Sequence, residues 1–380
     1  MSSLVARINA ELRGDRVIWA IIALLSIFSI LAVYSSTGTL AYRERGGNTE
    51  AFLFKHVAIL GVGLLLTYIC HLLHYMKYSR WAPVLFLIAI PMLLLTLGYG
   101  TEINEGKRWV MIPYVGITFQ TSDFAKLALI IYVARAITMK QDYIKDLNSA
   151  FLPIILPVLL VCGLIAPANL STALLLFVAC LGMMFIGRVS IKYIVLLLML
   201  GLVVFALLIF VGQAFPDVIR VDTWSSRMSE FMNEEDGGYQ SLQAKIAIAN
   251  GEIFGLGPGN SIQRNYLPSP YSDFIYSIIC EEYGVFGGGL VILLYVLLFF
   301  RIARLVTKSP KAFGAILAMG LGIMLVTQAL VNIAVAVNLV PVTGVTLPLL
   351  SMGGTSLMFT CIAFGIILSV SKYIESVATD

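Results

Sequence analysis

Apolar stretches, most about as long as a bilayer crossing, follow one another along this chain with short polar gaps between them. They run over 17–36, 54–74, 81–99, 121–138, 152–167, 170–187, 190–213, 273–300, 312–338 and 351–371. A helix needs about 20 residues to cross the hydrocarbon core of a membrane. Spanning strands are shorter and alternate apolar with polar positions, and these stretches do not alternate. The pattern predicts an all-α polytopic membrane protein with ten transmembrane helices. The first stretch is too long for a cleaved leader and lacks a small-residue exit, so it reads as an anchor.

One gap breaks the rhythm. Residues 214–272 form a large polar connection between the seventh and eighth stretches. Long connections with their own polar chemistry are commonly functional. Within this one, Gln240 to Asn250 (QSLQAKIAIAN) predicts an amphipathic helix with Leu242, Ile246 and Ala249 on one side. Gly251, Gly255, Gly257 and Gly259 follow, then Pro268 and Pro270. The segment reads as a partly ordered cap folded onto the outer membrane face.

Lysine and arginine set the orientation, because cytoplasmic loops collect them. With the N-terminus inside, the inner segments hold fifteen basic residues against six acidic ones. The outer segments hold eight against twelve. Both termini are therefore expected in the cytoplasm, and 214–272 outside it. The chain reads as one integral domain over residues 1–380.

Composition narrows the function classes. Of 380 residues, 59% are hydrophobic and 12% charged, against about 25% charged in a soluble domain. That excludes a water-soluble enzyme, and the scattered basic residues exclude a nucleic-acid-binding face. No GxxxxGK[ST] loop is present, so no nucleotide site is expected. Cys70, Cys162, Cys180, Cys280 and Cys361 all lie in apolar stretches without a CxxC pair, which argues against disulfides and zinc. His56, His71 and His74 fit no ligand spacing and are expected at the membrane interface.

Four places could carry chemistry. The first is Glu102-Ile-Asn-Glu105-Gly-Lys107-Arg108-Trp109 in the outer gap between the third and fourth stretches. It reads either as an interfacial tryptophan belt or as an anion site with Arg108 as a bidentate donor. The second is Thr121-Ser122-Asp123-Phe-Ala-Lys126 at the start of the fourth stretch. Asp123 suits a helix N-terminus, and Lys126 lies three residues on, where it can pair with it. The third is Ser272-Asp273 at the start of the eighth stretch, with Glu281 and Glu282 about two turns deeper. Asp273 could be a simple cap, a base or a metal ligand. Two carboxylates within a span read as functional or paired. The fourth runs from Asn332 through Asn338, Pro341, Gly344 and Pro348 to Ser351-Met-Gly-Gly-Thr-Ser356. It suits close helix packing or a broken helix lining a cavity.

With these segments in hand, the sequence resembles the SEDS family (shape, elongation, division and sporulation), the FtsW/RodA group of bacterial wall polymerases. The likeness runs from about Ile18 to Ile374. It rests on Gly106-Lys-Arg-Trp109 with Phe119-Gln-Thr-Ser-Asp-Phe-Ala-Lys126, and on Phe254-Gly-Leu-Gly-Pro-Gly-Asn260. It rests further on Leu267-Pro268 with Ser272-Asp-Phe-Ile-Tyr276, Glu281-Glu282, Pro341-Val-Thr-Gly-Val-Thr-Leu-Pro348 and Ser351-Met-Gly-Gly-Thr-Ser356. The GPGNSIQRNYLPSPYSDFIY stretch is more similar to the division branch than to the elongation branch.

The resemblance implies a peptidoglycan glycosyltransferase of the inner membrane. Such an enzyme polymerises lipid II into β-1,4 strands on the extracytoplasmic face, here for septal wall synthesis. It also implies a class B penicillin-binding protein as partner, alongside other division-complex proteins. Asp273 maps to the family's proposed catalytic residue. The substrate-binding set it suggests is Lys107, Arg108, Trp109, Asp123, Lys126, Glu281, Ser351 and Ser356. A magnesium or manganese ion, with Asp273 as a ligand, is the expected cofactor if there is one. The alternatives are a lipid II flippase and a scaffold for the penicillin-binding protein without activity of its own. Two departures stand out. The family's Q-P-S-E-F reads Gln120-Thr-Ser-Asp-Phe124, which keeps the carboxylate. The family's E-P-D-x-G-T reads Pro167-Ala-Asn169-Leu-Ser171-Thr172, which loses both acids and the glycine.

Overall fold

The computed structural model describes residues 13–38, 40, 49–103, 106–111, 118–214, 221–232 and 238–379. The expected apolar stretches all hold helices: α1 (Arg16–Ser36), α2 (Thr49–Leu72), α3 (Met76–Tyr99), α4 (Thr121–Met139), α5 (Leu152–Ile165), α6 (Leu170–Ile186) and α7 (Ile191–Ala214). The long connection then forms α8 (Val221–Met232) and α9 (Tyr239–Asn250). The chain finishes with α10 (Ile275–Lys308), α11 (Ala312–Ala336) and α12 (Thr355–Thr379).

Seven of these are long and apolar enough to cross a membrane: α1, α2, α3, α5 with its preceding π-helical turn, α10, α11 and α12. Helix α6 and the first part of α7 are apolar but shorter, and α4 carries Asp123, Lys126 and Arg135. Thus seven of the ten expected spans meet the length and composition test outright. Helices α11 and α12 are the most buried of the seven, and α3 is the least. Helix α4 packs against α3, α5 and α11, while α12 packs against α2. Several polar side chains that enter this core bring a partner, which offsets the cost of their burial.

The start of α1 shows this. Asp15 caps the helix by accepting from the backbone of Val17 and Ile18 at 2.9 and 3.3 Å. Its second oxygen takes two bonds from Arg301 of α10, at 2.9 and 2.6 Å. The same turn is tied to α12 by bonds from the backbone N–H groups of Asp15 to Ser371 Oγ and of Gly14 to Glu375 Oε2.

Four expectations need correction. First, 101–120 is not only loop: β1 (Thr101–Ile103), β2 (Gly106–Met111) and β3 (Thr118–Gln120) form an antiparallel sheet in that order. Trp109 on the central strand pairs with Thr101 and with Gln120, and β3 runs straight into α4. Strands this short leave too little alternation to read against the apolar background.

Second, α9 buries the other face. Ser241, Ala244 and Ala247 are buried, while Leu242 is 48% exposed. Small side chains win because the helix must lie close to α10. At its C-terminal end, a Cβ on Gly251 would meet the Cys280 carbonyl oxygen at 1.9 Å.

Third, His56 and His71 are buried, not interfacial. His56 Nε2 meets Ser29 Oγ at 2.9 Å, and His71 Nε2 meets the Arg13 carbonyl at 2.7 Å. Fourth, α12 starts at Thr355, because residues 341–354 form an irregular segment inside the bundle.

The cap is not merely laid on top. Helix α10 breaks at Gly284, whose φ of 64° and ψ of −161° suit glycine alone. The break orphans backbone groups inside an apolar helix, and the glycine-rich loop after α9 takes them up. Leu256 N donates to the Glu281 carbonyl at 2.9 Å, and Gly257 N to that of Glu282 at 3.0 Å. Val285 N donates to the Glu252 carbonyl at 3.1 Å. Part of the 214–272 connection is thus woven into α10.

Candidate functional site

Asp273 sits half-buried in the turn that leads into α10. Its backbone is held to an unusual degree. Three consecutive carbonyls each receive a hydrogen bond from the last third of the chain. Met352 N donates to the Tyr271 carbonyl at 2.9 Å. Ser351 Oγ donates to that of Ser272 at 2.6 Å, and Asn332 Nδ2 to that of Asp273 at 2.8 Å. On the side chain, Ser272 Oγ donates to Asp273 Oδ1 at 3.0 Å. A Cβ added to Gly344, whose φ is +66°, would lie 3.6 Å from Asp273 Oδ2. The carboxylate therefore stands against bare backbone.

The extended run before Pro348 is fastened to α11 by two amides one turn apart. Gln328 Nε2 donates to the Thr346 carbonyl at 2.9 Å, and Asn332 Nδ2 to that of Val345 at 2.7 Å. From the cap, Arg227 on α8 donates to the Val342 carbonyl at 3.2 Å. Sequence reasoning passed over Gln328 and Arg227. An amide inside an apolar span was the available signal for the first. The second had none beyond its charge.

A second polar group lies within the bundle. Asp123 and Lys126, both buried on α4, form an ion pair of 2.7 Å. Asp123 Oδ2 is buried with no hydrogen-bond partner among the described residues. A small cavity opens beside the pair, walled by Gln328 and Met324 of α11 and by Ser356, Phe359 and Thr360 of α12. Gln328 so links the wall of this cavity to the segment beneath Asp273.

The expected site residues now separate. Asp123, Lys126 and Ser356 line one cavity. Trp109 is half-buried on β2 and pairs with Gln120, at the entrance to α4. Lys107 and Arg108 lie on the same strand, but their side chains fall outside the described residues.

Ser351 and Glu281 take different roles from those expected. Ser351 Oγ already donates to the Ser272 carbonyl and accepts from Leu347 N at 2.8 Å. It mounts Asp273 and has little left to offer a substrate. Glu281 is fully buried and accepts from the backbone of Ile262 and Gln263, at 3.2 Å each, and from Ser261 Oγ. Beside it, Glu282 accepts from Ser35 Oγ and from Ser261 N. These carboxylates anchor the cap loop to α10 and α1.

Asn169 explains one departure from the family pattern. It caps α6 by accepting from Thr172 N at 3.2 Å, a task that an amide performs as well as an acid. For a metal, the donor set is thin. Among the described residues no three His, Cys, Asp or Glu side chains gather where they could share an ion.

Comparison with known proteins places this architecture. The chain is 31% identical over 365 residues to stage V sporulation protein E of Bacillus subtilis, covering 94% of this chain and 97% of that one. It is 33% identical over 362 residues to a probable peptidoglycan glycosyltransferase FtsW of Haemophilus influenzae, covering 94% and 90%. Among solved structures it is similar to a chain from work on structural coordination of polymerization and crosslinking by a peptidoglycan synthase complex. There the TM-score is 0.72, identity is 25%, and 95% and 98% of the two chains are covered. A single-substitution mutant of the rod shape determining protein RodA of Thermus thermophilus gives a TM-score of 0.67 at 25% identity, with 94% and 97% covered. A family profile described as cell cycle protein, FTSW_RODA_SPOVE, matches residues 15–376. The chain therefore belongs to the FtsW/RodA/SpoVE family.

Proposed function

We propose that this multi-pass membrane protein is a peptidoglycan glycosyltransferase that polymerises lipid II at the extracytoplasmic face of the cytoplasmic membrane, in septal wall synthesis. The observation that carries the reading is the mount of Asp273. A half-buried carboxylate, backed by the backbone at Gly344, has its own main chain fixed at three successive carbonyls. Such fixing suits a group that must meet a reacting atom in one orientation.

In this reading Asp273 takes the proton from the 4-hydroxyl of an incoming N-acetylglucosamine. The hydroxyl oxygen bonds to C1 of the N-acetylmuramic acid at the growing strand's reducing end. The bond from C1 to the diphosphate oxygen breaks, the diphosphate leaves with the electron pair, and the α-linkage becomes β. One base and a stabilised leaving group suffice for this single displacement. Arg108 and Lys107 on β2, with Trp109 beside them, are the proposed anion and sugar contacts. The Asp123–Lys126 pair and Ser356 form the proposed inner wall of the substrate cavity. A magnesium or manganese ion would find one carboxylate at Asp273 and the diphosphate's own oxygens, a ligand pattern magnesium accepts.

Orientation with both termini inside, crossing by α4, α6 and α7 as well, and residues 214–272 as the outer connection all belong to this proposal. So does a class B penicillin-binding protein as partner. The kinship with a chain from a peptidoglycan synthase complex supports it. The test is polymerisation of labelled lipid II by the purified protein, with and without that partner and with Asp273→Ala in parallel. Strands from the wild type alone support the reading. Equal strands from both would remove Asp273 from the chemistry. No strands from either folded protein, with partner present, would move the weight to lipid II flipping or scaffolding.

A further inference from the structure

We infer that Asn332 is a positioning residue for Asp273, setting the direction of its carboxylate through the main chain. The inference rests on the reading of Asp273 as the base. It adds a determinant on α11, a helix otherwise remote from Asp273 in sequence.

The geometry is specific. One amide nitrogen, Asn332 Nδ2, donates both to the Asp273 carbonyl at 2.8 Å and to the Val345 carbonyl at 2.7 Å. Asn332 is 1% exposed, so water does not compete for these bonds. The amide's orientation follows from its neighbours, since turning it over would set Oδ1 against two carbonyl oxygens. In the orientation observed, Oδ1 is buried with no partner among the described residues. A buried acceptor left unmade costs stability. The fold tolerates that cost at a position where it gains a double donor.

The two carbonyls belong to the two strips of chain that flank the carboxylate. One is Asp273's own, and the other is next to Gly344, the residue against which Oδ2 rests. A single side chain thus fixes both the base and the surface behind it. Met352 N and Ser351 Oγ hold the two preceding carbonyls, so Asn332 supplies the one of these three main-chain bonds that falls on Asp273 itself. A misplacement of about 1 Å in a reacting group can cost about 10²-fold in rate.

The experiment compares wild type, Asn332→Ala, Asp273→Ala and Thr67→Val as purified full-length proteins. Thr67 Oγ1 makes a buried bond to the Cys361 carbonyl at 2.9 Å, between α2 and α12 and away from Asp273. It controls for loss of any buried side-chain bond. Lipid II polymerisation gives kcat and KM, and hydrogen–deuterium exchange follows the peptides across the chain. Asn332→Ala is expected to lower kcat by about 10²-fold, with KM within twofold of wild type. Faster exchange should be confined to the stretch around 271–278, and Thr67→Val should keep wild-type kcat.

Retention of kcat by Asn332→Ala overturns the inference. So does a loss of kcat matched by faster exchange throughout α10, α11 and α12, which is general loosening. If Asn332→Ala does not fold, Asn332→Leu keeps the volume and loses the double donor without setting a carboxylate against two carbonyl oxygens, and the same two measurements decide. Full activity of Asp273→Ala is a separate outcome and rejects the base assignment itself.

Discussion

One acid stands in the turn that leads into α10 and another lies about two turns deeper, and the protein uses them in opposite ways. At Asp273 the main chain is gripped and the carboxylate stands over glycine backbone. At Glu281 the carboxylate itself is the grip, closed around Ser261 Oγ and the backbone N–H groups of Ile262 and Gln263. Sequence proximity and shared charge predict nothing about this division. What separates the two is where the backbone bonds fall: N–H groups close on the Glu281 carboxylate, whereas at Asp273 the clamp is on the main-chain carbonyls and Ser272 Oγ meets the carboxylate. A carboxylate surrounded by N–H donors is a structural anchor. One whose carbonyl is clamped has its side chain held in place for other work.

This contrast can be broken most severely at Asp273 itself. Asp273→Asn should lower lipid II polymerisation by about 10²–10⁴-fold, the usual contribution of a positioned base, while the melting temperature in detergent stays near wild type. Glu281→Ala should do the reverse in emphasis. Loss of a carboxylate that serves several buried donors should cost about 3 kcal/mol, read as a lower melting temperature and faster proteolysis of the cap. Wild-type stability with abolished activity would instead return Glu281 to the substrate site.

Gly284→Ala tests the ground between them. An alanine there is strained at φ 64°, and its Cβ would lie 2.2 Å from the Ile253 carbonyl oxygen. The expected loss is about 1–3 kcal/mol, with the cap more open to exchange. Ser351→Ala removes one of the three carbonyl bonds below Asp273. It should cost about 1 kcal/mol and lower kcat more than it raises KM. The mildest change is Asn169→Asp, far from both acids. Either residue can cap α6, so stability should move by no more than about 0.5 kcal/mol.

Much of this fold was legible because the membrane simplifies the code. A continuous apolar run can only be a helix, and the ten runs mark the ten long helices to within a few residues at most ends. The sheet was not legible, since three- and six-residue strands carry no period. Nor was the buried face of α9, where close approach to α10 selects Ala244 and Ala247 over Leu242. In the candidate site, sequence brought forward Asp273, the Asp123–Lys126 pair and the 341–356 region. It could not say that Ser351 faces the main chain of Ser272, or that Glu281 closes on Ser261. Those assignments depend on which of two polar partners arrives first in three dimensions, and one-dimensional spacing holds no record of it.

The mending of α10 at Gly284 bears on how the chain is made and how it can be recombined. The loop that completes the broken ladder is translated just ahead of the helix it repairs. Glu252, Leu256 and Gly257 are waiting when Glu281, Glu282 and Val285 emerge. The repair closes over a short stretch of chain, which keeps its entropic cost low. It follows that α10 and residues 251–265 form one heritable cassette. A chimera that takes α10 from a relative and leaves the loop behind would join a break and a loop not shaped for each other, and should be less stable than either parent. One that exchanges both together should insert as the parent does.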